Sequence, residues 1–212
     1  MSTYDLEEQE QLAALKAWWK QYGNLVVLTI TLAALVFAAF EGWRYWQRSQ
    51  AAKASAVYNE LVRATRAADT KKVRDLAGTL TQDFPRTAYA TLGALASAKR
   101  HFDAGDLKSA RVQLEWVIAN TRDPELESIA RLRLASVLLD DKAYDDALKI
   151  LDAKHEASFD GLFAAMRGDV LAAKGAKAEA RSAYKAALEK LGKDGSGARE
   201  SIQIRLDSLG AG

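Results

Sequence analysis

From Gln21 to Phe40 the chain carries no charged residue. A run of about twenty residues, wound as a helix rising about 1.5 Å per residue, spans about 30 Å, the hydrocarbon thickness of a bilayer. A helix buried in a water-soluble domain keeps a polar face, so this run predicts a helix that faces lipid on every side. Trp18, Trp19 and Tyr22 precede it, and Trp43, Tyr45 and Trp46 follow it. These supply the aromatic belts of two membrane–water interfaces, and Arg44 and Arg48 can reach water while their stems stay in apolar surroundings. A cleaved secretory signal fits poorly. It would begin with basic residues, whereas Asp5, Glu7, Glu8 and Glu10 come first, and the nearest cleavage match, Val36-Phe37-Ala38, lies inside the apolar run. The expectation is a permanent single-pass anchor over 22–46, with the lipid bilayer as its first partner. Glu41, at the membrane edge, is expected among the headgroups, within helical reach of Arg44 and Tyr45.

The chain beyond the anchor is long enough for one domain with a core of its own. The expected organisation is an acidic amphipathic tail (1–21), the anchor (22–46), a juxtamembrane extension (47–55) and a repeat domain (56–212). The formal net charge is only +2 and no Lys/Arg cluster stands out, so a nucleic-acid surface has no electrostatic footprint. Cysteine is absent, which removes disulfides, thiolate metal sites, thiol catalysis and a lipidated cysteine. Pro85 and Pro124 are the only prolines, and the rest is rich in Ala, Leu, Lys, Arg, Glu and Asp, a helix-forming composition.

From Ala51 to Leu209 the chain reads as amphipathic helices separated by short breaks. The breaks are expected at Ala68–Thr70, Phe84–Arg86, Gly105-Asp106, Arg122–Pro124, Asp140–Ala143, Phe159–Gly161, Gly175-Ala176 and Gly192–Gly197. No segment alternates as a strand would for more than a few residues, so the fold class is all-α.

The breaks recur. "FDAGDLKSARVQLEWV" (102–117), "LDDKAYDDALKILDAK" (139–154) and "AAKGAKAEARSAYKAA" (172–187) align on Ala110, Ala147 and Ala180, about 37 and about 33 residues apart, against a tetratricopeptide period of about 34. Each unit is expected to be a hairpin of two helices that buries its inner face by stacking on its neighbours. The alanines mark where the second helix approaches the first. Gly105 and Gly175 occupy the turn, where positive φ is needed, and Lys142 departs from that pattern. Leu114, Leu151 and Tyr184, four residues after each alanine, fill the space between units. A degenerate unit comes first, with Tyr58, Leu61, a turn at Ala68-Asp69, then Val73, Leu76, Leu80 and Pro85. Ile202, Leu206 and Leu209 form the apolar stripe of a terminal cap. The architecture is a single N-terminal transmembrane helix followed by a tetratricopeptide-like helical-hairpin solenoid.

In this setting "GWRYWQ" (42–47), "YATLGALASAKRHFDAGDLKSARVQLE" (89–115) and "MRGDVLAAKGAKAEARSAYKAAL" (166–188) resemble the YfgM family of inner-membrane proteins in Gram-negative bacteria, and the order of parts matches over nearly the whole chain. The resemblance implies an ancillary subunit of the SecYEG translocon that pairs with the periplasmic chaperone PpiD and assists unfolded client proteins leaving the channel. It also implies a cytoplasmic N-terminus and a periplasmic repeat domain. Charge alone leans the other way by a single residue: Lys16 and Lys20 precede the anchor, whereas Arg44, Arg48 and Lys53 follow it.

No catalytic, metal or cofactor constellation is legible. His101 and His155 lie in different units without ligand spacing, and His101 takes a packing position. The pairs Asp140-Asp141 and Asp145-Asp146 flank turns, where capping explains them, and no phosphate-binding glycine loop is present. The function expected is therefore binding, through the face that the first helix of each unit turns toward the groove. Alignment on the repeat alanines places Leu92, Leu95, Lys99 and Phe102 there from one unit. The next unit contributes Ile129, Leu132, Ser136 and Leu139, and the third Leu162, Ala165 and Asp169. The strip is mostly apolar, which suits a partner's apolar helix or an unfolded segment. A carboxylate clamp of the kind used by cytosolic co-chaperones finds only Lys99 in place. A different reading makes the protein a regulatory scaffold whose acidic tail sequesters a cytoplasmic regulator.

Overall fold

A computed structural model describes residues 3–191 and 196–210. The chain divides into two units, Met1–Ser49 and Gln50–Gly212. Nine α-helices are assigned among the described residues, and no strand.

In the first unit the residues belong to α1, Thr3–Arg66. One stretch of this helix is long and apolar enough to cross a membrane, with a mean hydropathy of 2.2. Its large side chains are open to the surroundings: Leu25, Leu28, Val36 and Phe37 are each 63–68% exposed. In lipid every polar group must find an internal partner. Accordingly, the Thr29 and Thr31 hydroxyls donate to the Leu25 and Val27 carbonyls at 2.8 Å.

The second unit is a stack of helical hairpins. The last turns of α1 share a buried cluster with α2 (Thr70–Asp83) through Leu61, Ala64, Val73 and Leu80. Helix α3 (Ala88–Asp103) pairs with α4 (Leu107–Asn120), α5 (Pro124–Asp140) with α6 (Tyr144–Asp152), and α7 (Asp160–Lys174) with α8 (Lys177–Lys190). Helix α9 (Ser196–Ser208) closes the array against α8. The expected stripe of this cap packs inward: Ile202 is buried, and Leu206 and Leu209 rest on the same cluster.

One turn geometry recurs in every hairpin. Ala68, Gly105, Lys142 and Gly175 all adopt positive φ, at 56°, 77°, 60° and 88°. At each, the following amide bonds to the carbonyl five residues back (Asp69 to Ala64, Asp106 to His101, Ala143 to Leu138, Ala176 to Leu171) at 2.8–3.0 Å. This is a Schellman ending, which satisfies helix-terminal carbonyls that would otherwise be orphaned. The lysine that broke the glycine pattern therefore occupies the same left-handed position, and Ala68 identifies the turn of the degenerate first unit.

Five residues after each turn lies a side chain with no exposure: Val73, Ala110, Ala147 and Ala180. Leu114, Leu151 and Tyr184 are buried one helical turn further on. Fully burying a leucine of this kind contributes about 1.5–3 kcal/mol. Glycines on the facing helices permit the close approach. A Cβ on Gly93 would fall 2.5 Å from Leu80 Cδ1, and one on Gly168 would fall 2.5 Å from Tyr184 Cδ1.

One break differs from expectation. Phe159–Gly161 does not interrupt a helix; α6 ends at Asp152, and a short 3-10 turn, Ala157–Phe159, leads into α7 at Asp160. Gly161 lies inside α7 because Leu191 packs against it, and a Cβ there would sit 2.6 Å from Leu191 Cγ. The break expected at Gly192–Gly197 falls largely on 192–195, outside the described residues.

Candidate functional site, an apolar groove along the first helices

Helices α3, α5 and α7 lie side by side, so one face of each is shared by adjacent hairpins. On α3 the spacing of Leu92, Lys99 and Phe102 keeps them on one stripe, as does that of Ile129, Leu132, Ser136 and Leu139 on α5. Leu92, Ile129, Leu132, Leu139 and Phe102 are all partly exposed, and Leu162 on α7 is 39% exposed. Between α3 and α5 a pocket of about 190 Å³ is lined by Lys99, Phe102, Arg133 and Ser136 above Ala98, Leu114 and Val137. The structure thus brings Lys99, Phe102 and Ser136 together across two units.

Other residues of the strip do different work. Leu95 is only 6% exposed and belongs to the core that joins α3 to α4 and α5, so it offers a ligand almost nothing. Ala165 is buried in the cluster of the last hairpin. Asp169 is held by the Tyr184 hydroxyl at 2.7 Å and Arg205 at 2.6 Å, which turns it into a tie between α7, α8 and α9. Phe102, Leu132 and Leu139 rest against the core with part of their surface, whereas Leu92, Ile129 and Leu162 lie outside the core clusters.

Sequence reasoning passed over Arg133. It lies three residues before Ser136 and so on the same helical face, which is the signal that would have found it. The nearby Lys99 is partnered, its Nζ donating to both Asp103 carboxylate oxygens at 3.0–3.1 Å.

The two histidines act structurally. His101 is buried with Nδ1 3.2 Å from Asp106 Oδ2. Asp106 also caps α4 by accepting from the Ser109 amide, and hydrogen bonding from Ser109, the hydroxyl first and the amide second, holds its carboxyl below the ordinary range. His155 stacks on Phe163 at 3.7 Å between centroids. Its ring nitrogens lie 2.9 Å from the Ala153 carbonyl and 3.1 Å from Asp160 Oδ1. The Lys190 ammonium holds the Asp160 carboxyl down, with a smaller contribution from His155. These bonds pin the loop that replaces the expected break.

In the first unit the aromatic residues at the two ends of the apolar segment cluster. Trp18 lies 6.4 Å from Trp19 and 5.9 Å from Tyr22 between ring centroids, and Trp43 lies 5.2 Å from Trp46. Tyr45 is 77% exposed. Arg44 reaches Glu41 at 2.8 Å and lies over the Phe40 ring at 5.6 Å, so Glu41 has a charge partner beside the apolar run.

A family model described as a tetratricopeptide repeat-like domain matches residues 16–211. A protein of Neisseria gonorrhoeae is 36% identical over 96% of this chain and 98% of its own length. Relatives in Haemophilus influenzae and Escherichia coli are 32% and 30% identical, over 88% and 89% of this chain and 91% and 90% of theirs. All three carry the name ancillary SecYEG translocon subunit. No solved structure matches.

Proposed function

The chain belongs to the tetratricopeptide repeat-like family of ancillary SecYEG translocon subunits, and from that premise we propose that it is a membrane-anchored adaptor that assists secreted and envelope proteins as they leave the SecYEG channel. The observation that carries this reading is the full-length similarity, which takes in both the apolar helix and the hairpin array. On this reading the helix over 22–46 holds the protein in the inner membrane. The tail lies in the cytoplasm and the repeats in the periplasm.

The repeat domain acts by non-covalent capture. Leu92, Ile129, Leu162 and the exposed edge of Phe102 present apolar surface to a PpiD-like periplasmic chaperone or to an unfolded client, in the manner of a helix laid in a groove. Leu92 and Leu162 are the informative positions, because they lie outside the core clusters. Replacing both with Glu puts two charges where a partner's apolar surface must be desolvated. That costs several kcal/mol against the roughly 8 kcal/mol of a micromolar complex. The test is affinity purification of the full chain from detergent-solubilised membranes. The double variant is expected to keep its melting temperature and its SecYEG while losing the chaperone. Undiminished capture of the chaperone would remove the groove from the mechanism, and loss of SecYEG from the wild-type eluate would remove the translocon.

A further inference from the structure

A cavity of about 910 Å³ opens between the α2–α3 and α4–α5 turns, and it shares no lining residue with the groove pocket. Its chemistry favours an anion. Arg86 lines it from one turn and Arg122 from the other. Neither forms an ion pair among the described residues.

The two helix starts at this cavity differ. The α5 start is occupied: Asp123 Oδ1 accepts from the Glu125 and Leu126 amides at 2.9 and 3.2 Å, and Glu125 and Glu127 lie in its first turn. Asp123 is therefore committed to its own helix. At the α3 start, Thr87 makes no side-chain cap; its hydroxyl donates to the Phe84 carbonyl at 2.9 Å instead, and the first turn holds no acidic residue. The Ala90 amide donates to the Thr87 carbonyl at 3.1 Å, and the Ala88 and Tyr89 amides before it have no side-chain cap to answer their partial positive charge.

An independent feature lies one turn further in. Thr91 lines the same cavity and is 6% exposed. Other partly buried helix threonines in this unit return their hydroxyls to the carbonyl four residues back, as Thr65 and Thr81 do at 2.9 and 3.0 Å. The Thr91 hydroxyl makes no hydrogen bond among the described residues and is not sealed in the core, so it stays open to the cavity it lines and can bond a ligand there. With two free guanidiniums, an uncapped helix start and this hydroxyl, the cavity is supplied with donors.

We propose that this cavity receives the carboxylates of an acidic peptide segment from a partner protein. Arg86 and Arg122 serve as the charge partners, and the Thr91 hydroxyl and the Ala88 amide as further donors. Pro85, Ala88 and Leu126 lie among these groups, which gives an extended main chain apolar surface to rest on. The volume falls within the range of ligand-binding sites. Phosphate and anionic lipid headgroups share the charge but not the need for such surface.

The test uses the full chain in nanodiscs of phosphatidylcholine, titrated by fluorescence anisotropy with a short fluorescein-labelled peptide of alternating glutamate and alanine. Binding is expected to saturate, to weaken as salt rises, and to vanish when glutamine replaces glutamate. Arg86 and Arg122 are exposed, so the Arg86→Gln/Arg122→Gln variant should fold and bind at least about tenfold more weakly, the scale of lost charge-assisted bonds. Thr91→Val, of nearly the same shape, should weaken binding severalfold, and Thr91→Ser should restore it. Unchanged affinity in the arginine variant, with helicity preserved, would overturn the site. Saturable binding of inorganic phosphate or phosphatidylglycerol vesicles, with none of the peptide, would overturn the peptide as occupant.

Discussion

Tyr184 donates its hydroxyl to Oδ1 of Asp169 at 2.7 Å while being almost wholly buried. The bond crosses from α8 to α7, and Arg205 of α9 holds the other oxygen of the same carboxylate at 2.6 Å. Three helices thus meet on one acidic group. The network ties α9 to the α7–α8 hairpin through a charged contact in addition to the apolar cluster the three share.

Replacing Tyr184 with Phe removes the hydroxyl and leaves the ring packing against Gly168 in place. The expected loss is about 1.5–3 kcal/mol, the range for a hydrogen bond to a charged group, read as a lower midpoint in urea denaturation. The variant also changes the alkaline limb. Burial, reinforced by the Asp169 carboxylate, pushes the Tyr184 hydroxyl well above its ordinary value. The neutral form is therefore favoured in the folded state, and its contribution is complete below about pH 10 and is lost as pH rises beyond it. Wild-type stability should fall more steeply above about pH 10 than that of Tyr184→Phe.

The four equivalent turns make an internal control for left-handed backbone. Lys142 holds φ at 60°, where its Cβ is crowded, while Gly175 holds 88° without that penalty. Lys142→Gly should raise stability by up to about 1 kcal/mol, and Gly175→Ala should lower it by about 1 kcal/mol or slightly more. Thermal melts of the two variants should move in opposite directions.

Asp106 joins a cap to a buried histidine, since one oxygen accepts from the Ser109 amide and the other faces His101. Asp106→Ala should cost about 1 kcal/mol through the cap alone. Because the Asp106 carboxyl is held below its ordinary range, its contribution is present above about pH 4 and is lost on acidification. The gap between wild type and variant should narrow as pH falls below about 4, measured by denaturant titration at each pH.

The proposed orientation is checked by protease added to spheroplasts. The repeat domain should be degraded while the inner membrane is intact. Protection until the membrane is broken would place the repeats in the cytoplasm, the side that the charge balance around the anchor slightly favours.

The anchor, the all-α class and the repeating hairpins were readable from the chain alone. Each rests on local or periodic signals: an uncharged run between aromatic belts, a helix-forming composition, and small residues recurring beside turns. Composition and spacing along one chain are enough to read these. Packing settled what spacing could not. Leu95 and Leu162 are both leucines on groove-facing helices, but the first is enclosed by α4 and α5 and the second is open. Asp169 was legible as a groove carboxylate until Tyr184 and Arg205, 15 and 36 residues away, closed on it. Gly161 resembled a helix break, yet Leu191 makes it a packing position. The turns at Ala68-Asp69 and Asp140–Ala143 were readable, but not that Ala68 and Lys142, neither of them glycine, hold the left-handed conformation there. The cavity between Arg86 and Arg122 exists only because two turns 36 residues apart in the chain meet in space. In each case the deciding partner lies a dozen or more residues away or in another helix, and helical periodicity carries no information at that range.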